Sequence, residues 1–118
     1  MLKFPNELYY GNIEYKLHLV NISDERIYRY STQLNFRINE GNGKAYYLIG
    51  IYDNGSIKGL DIQEIKESIY NMLRIKNVLN QKIYLYSKPY ILNNGKYLCL
   101  IKLDDITYIN RKNNQFLL

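Results

Sequence analysis

A chain of 118 residues, 47% of them apolar, is long enough to bury one ordinary hydrophobic core and too short for two, so a single domain is expected. No apolar run approaches the ~18 to 20 residues that cross a bilayer, and the opening "MLKFPNELYY" lacks the basic-then-apolar order of a signal peptide, so a cytoplasmic protein with no membrane partner is expected. Sixteen Lys and Arg against eleven Asp and Glu leave a formal net charge of +5 and a pI near 9.2, which points to nucleic acid as the partner class, with charge kept merely for solubility as the plain alternative.

In chain order, "IEYKLHLV" (13–20) alternates Ile13, Tyr15, Leu17 and Leu19 against Glu14, Lys16 and His18, the period-two signature of a half-buried strand. This places Glu14, Lys16 and His18 on the polar, water-facing side. Ser23 then stands as an N-cap with Asp24 and Glu25 in the first helical turn, where they complement the helix dipole. Ile27, Ser31, Leu34 and Ile38 recur at helical spacing and predict the core face, which leaves Arg26, Arg29 and Arg37 off it. "NEGNGK" predicts a glycine helix stop. "AYYLIGIY", "DNGS" and "IKGL" predict a tight hairpin whose Asn-Gly pair favours a type I′ turn. Asp61 and Glu64 form a capping-box pattern ahead of a helix over about 62–79, with Ile62, Ile65, Ile69, Met72, Leu73 and Leu79 as its buried face. A second hairpin, "KIYLYSKPYIL" and "KYLCLIKL" around "NNG", carries Pro89 in its first arm, which places that arm at a sheet edge.

The order β-α-β-β-α-β-β predicts an α+β domain over 1–110, two helices on one face of a mainly antiparallel sheet, followed by a basic and apolar tail over 111–118. That tail reads either as a frayed end or as a segment ordered only on a partner. Cys99 is the only cysteine and sits in the apolar run "YLCLIKL", so it reads as a buried small hydrophobe and no disulfide or cysteine-based zinc site can form within the chain. The 14 Tyr stand beside 16 Ile and 15 Asn, a general compositional bias, so their number alone is no argument for base stacking.

"GNIEYKLHLVN" and "STQLNFRINEGNGKAYYLIGIYDNGSIKGL", with the helix after them, resemble the N-terminal domain that precedes the GTPase module in GTP-binding proteins 1 and 2, elongation-factor-like GTPases. The resemblance runs over about residues 5–103 and rests on Gly11 to Lys16, Thr32-Gln33, Arg37, the Glu40 to Gly43 stop, the Asp53-Asn54-Gly55 turn and Gly59-Leu60, in order and at the right spacing. Nothing in the chain fits G-x-x-x-x-G-K-[ST]: "GNGKA" is too short and has Ala45 where the magnesium-binding hydroxyl belongs. No bound nucleotide is therefore expected, and the resemblance implies this domain standing alone without its GTPase.

That domain is in turn similar to the Schlafen core, some members of which are metal-dependent endoribonucleases that cluster three carboxylates to hold divalent cations. By position Glu14 matches one acid and Asp53 a second. The third falls near Tyr9, which is not an acid, with Glu7 and Glu40 as the nearest substitutes in sequence. Magnesium or manganese is implied only under this nuclease reading; otherwise no cofactor and no catalytic residue is expected. Lys16 can instead pair with Glu14, an interaction of ~0 to 1 kcal/mol if exposed. His18, the sole histidine, reads as a solvated strand residue or as a group that orients a substrate phosphate.

The parent GTPases act in translation, so the resemblance implies an RNA-facing surface, and the net charge agrees in sign. The candidate RNA-binding residues are Lys16, Arg26, Arg29, Arg37, Lys44, Lys58, Arg111 and Lys112, with Tyr28, Tyr30 or Tyr52 as stacking partners or as ordinary packing. Three readings stand. One is a translation-associated protein that binds the ribosome (rRNA) or tRNA and acts by occupancy, as in ribosome silencing or hibernation. The second is the metal-dependent endoribonuclease, and the third is a protein-interaction domain that docks on a separate GTPase.

Overall fold

In the computed structural model, which describes residues 3–117, the chain forms β1 (Ile13–Lys16), α1 (Asp24–Glu40), β2 (Lys44–Ile49), α2 (Ile62–Val78), β3 (Ile83–Ile91), β4 (Tyr97–Asp105) and α3 (Tyr108–Leu117). The strands make one sheet in the order β1-β2-β4-β3, with β1 parallel to β2 and the other pairs antiparallel. Parallel neighbours need a crossover, and α1 supplies it between β1 and β2. This is the expected α+β architecture, with β3 and its Pro89 at an edge.

Helix α1 forms where its local signals place it. Ser23 caps it by accepting from the Arg26 N–H at 3.3 Å, and Ile27, Ser31, Leu34 and Ile38 are all buried. At its end the left-handed backbone falls on Asn42 (φ 52°) and Gly43 (φ 105°), after a Gly41 cap of ordinary φ. Helix α2 has the full capping box: Asp61 accepts from the Glu64 N–H at 2.8 Å, and Glu64 accepts from the Asp61 N–H at 3.1 Å.

The two helices pack on each other, α1 against β2 and α2 against β3 and β4. Between them and the sheet lie Leu34, Ile38, Ile65, Met72, Ile75, Ala45, Tyr47, Ile49, Cys99, Ile101 and Leu103. Each buried aliphatic side chain contributes about 1.5 to 3 kcal/mol by leaving water. Cys99 belongs to this core, and burial pushes its thiol up to about 11, so it is a protonated apolar filler, as expected.

Five expectations need correction. The strand expected over 13–20 ends at Lys16, because the next segment leaves the sheet to bond α2: the Leu19 N–H donates to Ser68 Oγ at 3.0 Å, and its carbonyl accepts from Asn71 Nδ2 at 2.6 Å. Ser68 and Asn71 are accordingly buried, whereas Ile62 and Leu73, counted in the core face, remain 39% and 38% exposed. "IKGL" is not a strand. Ile57 bridges Ile51 and Leu60 bridges Tyr97, so the chain passes from one neighbour to another within four residues.

The turn is not type I′ either. Tyr52 and Ser56 close a three-residue loop (N to O, 2.9 Å) in which Gly55 alone has positive φ, +89°. That is the type I turn with a glycine bulge, the alternative for three-residue loops. "NNG" repeats it, with Leu92 bonded to Lys96 at 2.7 Å and Gly95 at φ +83°. Gly55 is also fixed by space, since a Cβ there would fall 1.8 Å from the Phe4 carbonyl oxygen. Finally, the tail expected from 111 continues a helix that begins at Tyr108, so the expected boundary at 110 falls inside α3; Leu118 lies outside the described residues.

Candidate functional site

Glu14 was expected to face water and does the opposite. The register sets Glu14 beside Tyr47 and Lys16 beside Ile49, both on the helix-covered side, while Ile13 lies beside Tyr46 on the open side and is 47% exposed. Glu14 is 4% exposed. A buried carboxylate is tolerated only with a charge and hydrogen bonds to meet it, and Arg37 of α1 meets this one: Nε lies 2.9 Å from Glu14 Oε1. The other guanidinium nitrogens donate to the Leu8, Tyr10 and Gly11 carbonyls at 2.8 to 3.0 Å. Lys16 Nζ stands 3.7 Å from Glu14 Oε2. Arg37 thereby ties the segment before β1 to the second half of α1, and Tyr47 lies in the same interior with its hydroxyl unpartnered among the described residues.

Glu7 completes the cluster. Its carboxylate accepts from the Tyr15 N–H, and its own N–H donates to the Asp53 carbonyl at 2.7 Å. Burial pushes its carboxyl up to about 7; the Tyr15 N–H opposes this, while a hydrogen bond to Glu14 and the charges of Glu14 and Asp53 add to it. It borders a pocket of about 300 Å³ lined also by Leu8, Tyr10, Ile13 and Tyr15. Among the described residues no three His, Cys, Asp or Glu side chains are arranged to hold a metal ion. The charge opposite Glu14 is a guanidinium, so the acids expected of a nuclease, Glu14 and Asp53, sit in a buried ion-pair network and on an exposed turn respectively. His18 lies past the end of β1, half-buried rather than solvated, with Nδ1 buried and unpartnered among the described residues.

The candidate cations divide. Arg37 is buried and engaged through all three guanidinium nitrogens, which corrects its assignment to the outer face of α1. Lys16 is largely withdrawn, its Nζ 4.3 Å from the Tyr30 ring centroid. Arg26 lies over the same ring at 5.3 Å and donates to its hydroxyl, and the ring is partly buried against the core, so Tyr30 is no open stacking surface. Arg111 is half-buried and pairs with Asp105 at 2.7 Å. Arg26, Arg29, Lys44, Lys58 and Lys112 are exposed. Lys112 and Arg111, with Asn39 and Tyr108, line a pocket of about 240 Å³ where the end of α1 meets α3.

A further surface lies outside the expected site residues. Tyr84, Tyr86, Lys88 and Tyr90 stand at alternate positions of β3, so all four point to the side opposite Ile83, Leu85 and the helices. The register brings Tyr46 of β2 and Tyr86 of β3 to either side of Lys102 of β4. Tyr84, Tyr86 and Tyr90 are 51%, 57% and 45% exposed. Its signal in the sequence is the period of two in "IYLYSKPYI", which the abundance of tyrosine throughout the chain obscures.

No family model matches the chain. It is 45% identical over 71 residues to GTP-binding protein 2 of Mus musculus and of Homo sapiens, which takes in 60% of this chain and 12% of theirs. It is 36% identical over 115 residues to an uncharacterized protein of Acanthamoeba polyphaga mimivirus, covering 92% of this chain and 61% of that one. The chain thus spans a small part of the first two relatives and about three-fifths of the third. Over those 71 residues it is homologous to a segment of GTP-binding protein 2.

Proposed function

We propose that this protein is a translation-associated RNA-binding module that works by occupying a site on ribosomal RNA or tRNA. The observation that carries the reading is the set of exposed cations that stand outside the ion pairs of the described residues. Glu14, Asp24 and Asp105 are held in ion pairs, whereas Arg29, Lys44, Lys58 and Lys112 are exposed and outside the ion pairs of the described residues. Cations left exposed in this way release condensed counterions when they meet phosphates. The translation context comes from the resemblance to elongation-factor-like GTPases, and the similarity to a segment of GTP-binding protein 2 supports it. Occupancy of a tRNA site in idle ribosomes, silencing or protecting them, is the form this activity takes.

The test is sedimentation of the purified protein with ribosomes at about 50 and 200 mM salt, across which several phosphate contacts cost roughly a thousandfold or more in affinity. Co-sedimentation at low salt and release at high salt is the expected result. Absence from the ribosomal pellet at low salt overturns the reading. Capture of a GTPase that survives ribonuclease treatment replaces it with a protein-docking function.

A further inference from the structure

From the arrangement of the open sheet face we infer that β2, β3 and β4 form a stacking platform for unpaired RNA bases, with Tyr46, Tyr84, Tyr86 and Tyr90 as the rings and Lys88 and Lys102 as phosphate contacts. The inference rests on the RNA-binding reading and names the class of RNA it takes.

Three observations converge on it. First, the helices cover only the other side of the sheet, and the β3 tyrosines keep about half of their surface in water. A tyrosine that contributes to the core does not stay half exposed at three alternate positions of one strand.

Second, cations are interleaved with the rings. Lys88 Nζ lies 5.3 Å from the Tyr90 ring centroid and Lys102 Nζ 5.9 Å from that of Tyr86. Among the strand residues on this face, the lysines are Lys44, Lys88 and Lys102, and the single carboxylate, Asp104, stands between Lys44 of β2 and Tyr84 of β3. Three lysines against one carboxylate leave the face net positive, complementary to a phosphate backbone and unfavourable to an acidic protein segment.

Third, the spacing selects unpaired strands. Alternate residues of a strand are about 6.8 Å apart, twice the rise of about 3.4 Å per nucleotide in a stacked helix. Adjacent bases reach Tyr84 and Tyr86 only when the strand is extended and unstacked, a geometry that a duplex cannot present; Tyr90 lies beyond Lys88 and takes a later base. Base-on-aromatic stacking contributes about 1 to 3 kcal/mol per base whatever the base, so the platform is tolerant of sequence.

The experiment titrates the full chain with a fluorescein-labelled 12-nucleotide oligoadenylate, alone and annealed to its complement, at one fixed low salt concentration. The single strand is expected to bind at least 10-fold more tightly than the duplex. Tyr84→Leu with Tyr86→Leu is expected to weaken single-strand binding 10-fold or more and leave duplex binding within 2-fold, and Tyr84→Phe with Tyr86→Phe to restore wild-type affinity. Circular dichroism checks that each variant is folded; should the leucine pair misfold, Lys88→Glu with Lys102→Glu takes its place with the same single-strand loss expected. Equal binding of both RNAs, unmoved by these changes, overturns the platform and leaves the RNA-binding reading standing. Binding of neither RNA overturns both. A dimer in sedimentation equilibrium that the leucine pair dissolves overturns the platform and assigns the face to a second copy of the chain.

Discussion

Arg37 meets a buried carboxylate and three backbone carbonyls with one guanidinium, so Glu14 is part of the framework that holds residues 8–11 against α1. Removing one member of a buried ion pair leaves the other unmet and costs about 3 to 5 kcal/mol. Glu14→Gln is therefore expected to lower the unfolding free energy by that amount in urea denaturation, and any ribonuclease assay of this variant has to be read beside its melting curve. Glu7 behaves in the opposite sense to most carboxylates. Its folded value of about 7 exceeds the ordinary 4.5, so the folded state holds the proton more tightly. The stability this confers is complete below about pH 4.5 and is lost as the pH rises to about 7, where the new charge faces Glu14 and Asp53. Thermal melts of wild type and Glu7→Gln across pH 4.5 to 7.5 should show a decline in the first that is flattened in the second.

At the scale of elements, α2 does more than cover the sheet. Ser68 and Asn71 accept and donate to the backbone of Leu19, which has left β1 and has no ladder partner. Leaving a buried backbone group unsatisfied costs about 1 to 3 kcal/mol; Asn71→Ala is expected to lose that much, and Ser68→Ala a comparable amount, measured by urea unfolding. The helices themselves were legible because their signals are local: the Ser23 cap, the Asp61 and Glu64 box, and the spacing of Ile27, Ser31, Leu34 and Ile38 all act within a few residues. Ser68 and Asn71 were not legible as core because their partner lies about fifty residues away in sequence. The hairpins were legible in position from Asn-Gly, but not in type, since a third loop residue shifts the positive φ onto the glycine alone.

Taken whole, the molecule presents two kinds of sheet face, one closed by α1 and α2 and one set with tyrosine and lysine. RNA affinity that depends on exposed cations has a salt slope that counts them. Replacing Lys44 or Lys112 by alanine is expected to lower the magnitude of the slope of log affinity against log salt by about 1 each, read from fluorescence titrations at several salt concentrations.

Pattern alone determined the fold class, the limits of α1 and all of its inner face but Arg37, the cap of α2, the edge position of Pro89 and the burial of Cys99, because each follows from spacing or from a neighbour a few residues away. Tertiary structure alone decided which side of β1 meets the helices. A period of two separates the faces of a strand without saying which meets the helices. Polarity would have chosen Ile13 and Tyr15, but Arg37, 23 residues on from Glu14, neutralises the carboxylate and lets it be buried. The same pairing takes Arg37 off the surface, so the proposed RNA contact falls to the exposed lysines, Arg26 and Arg29.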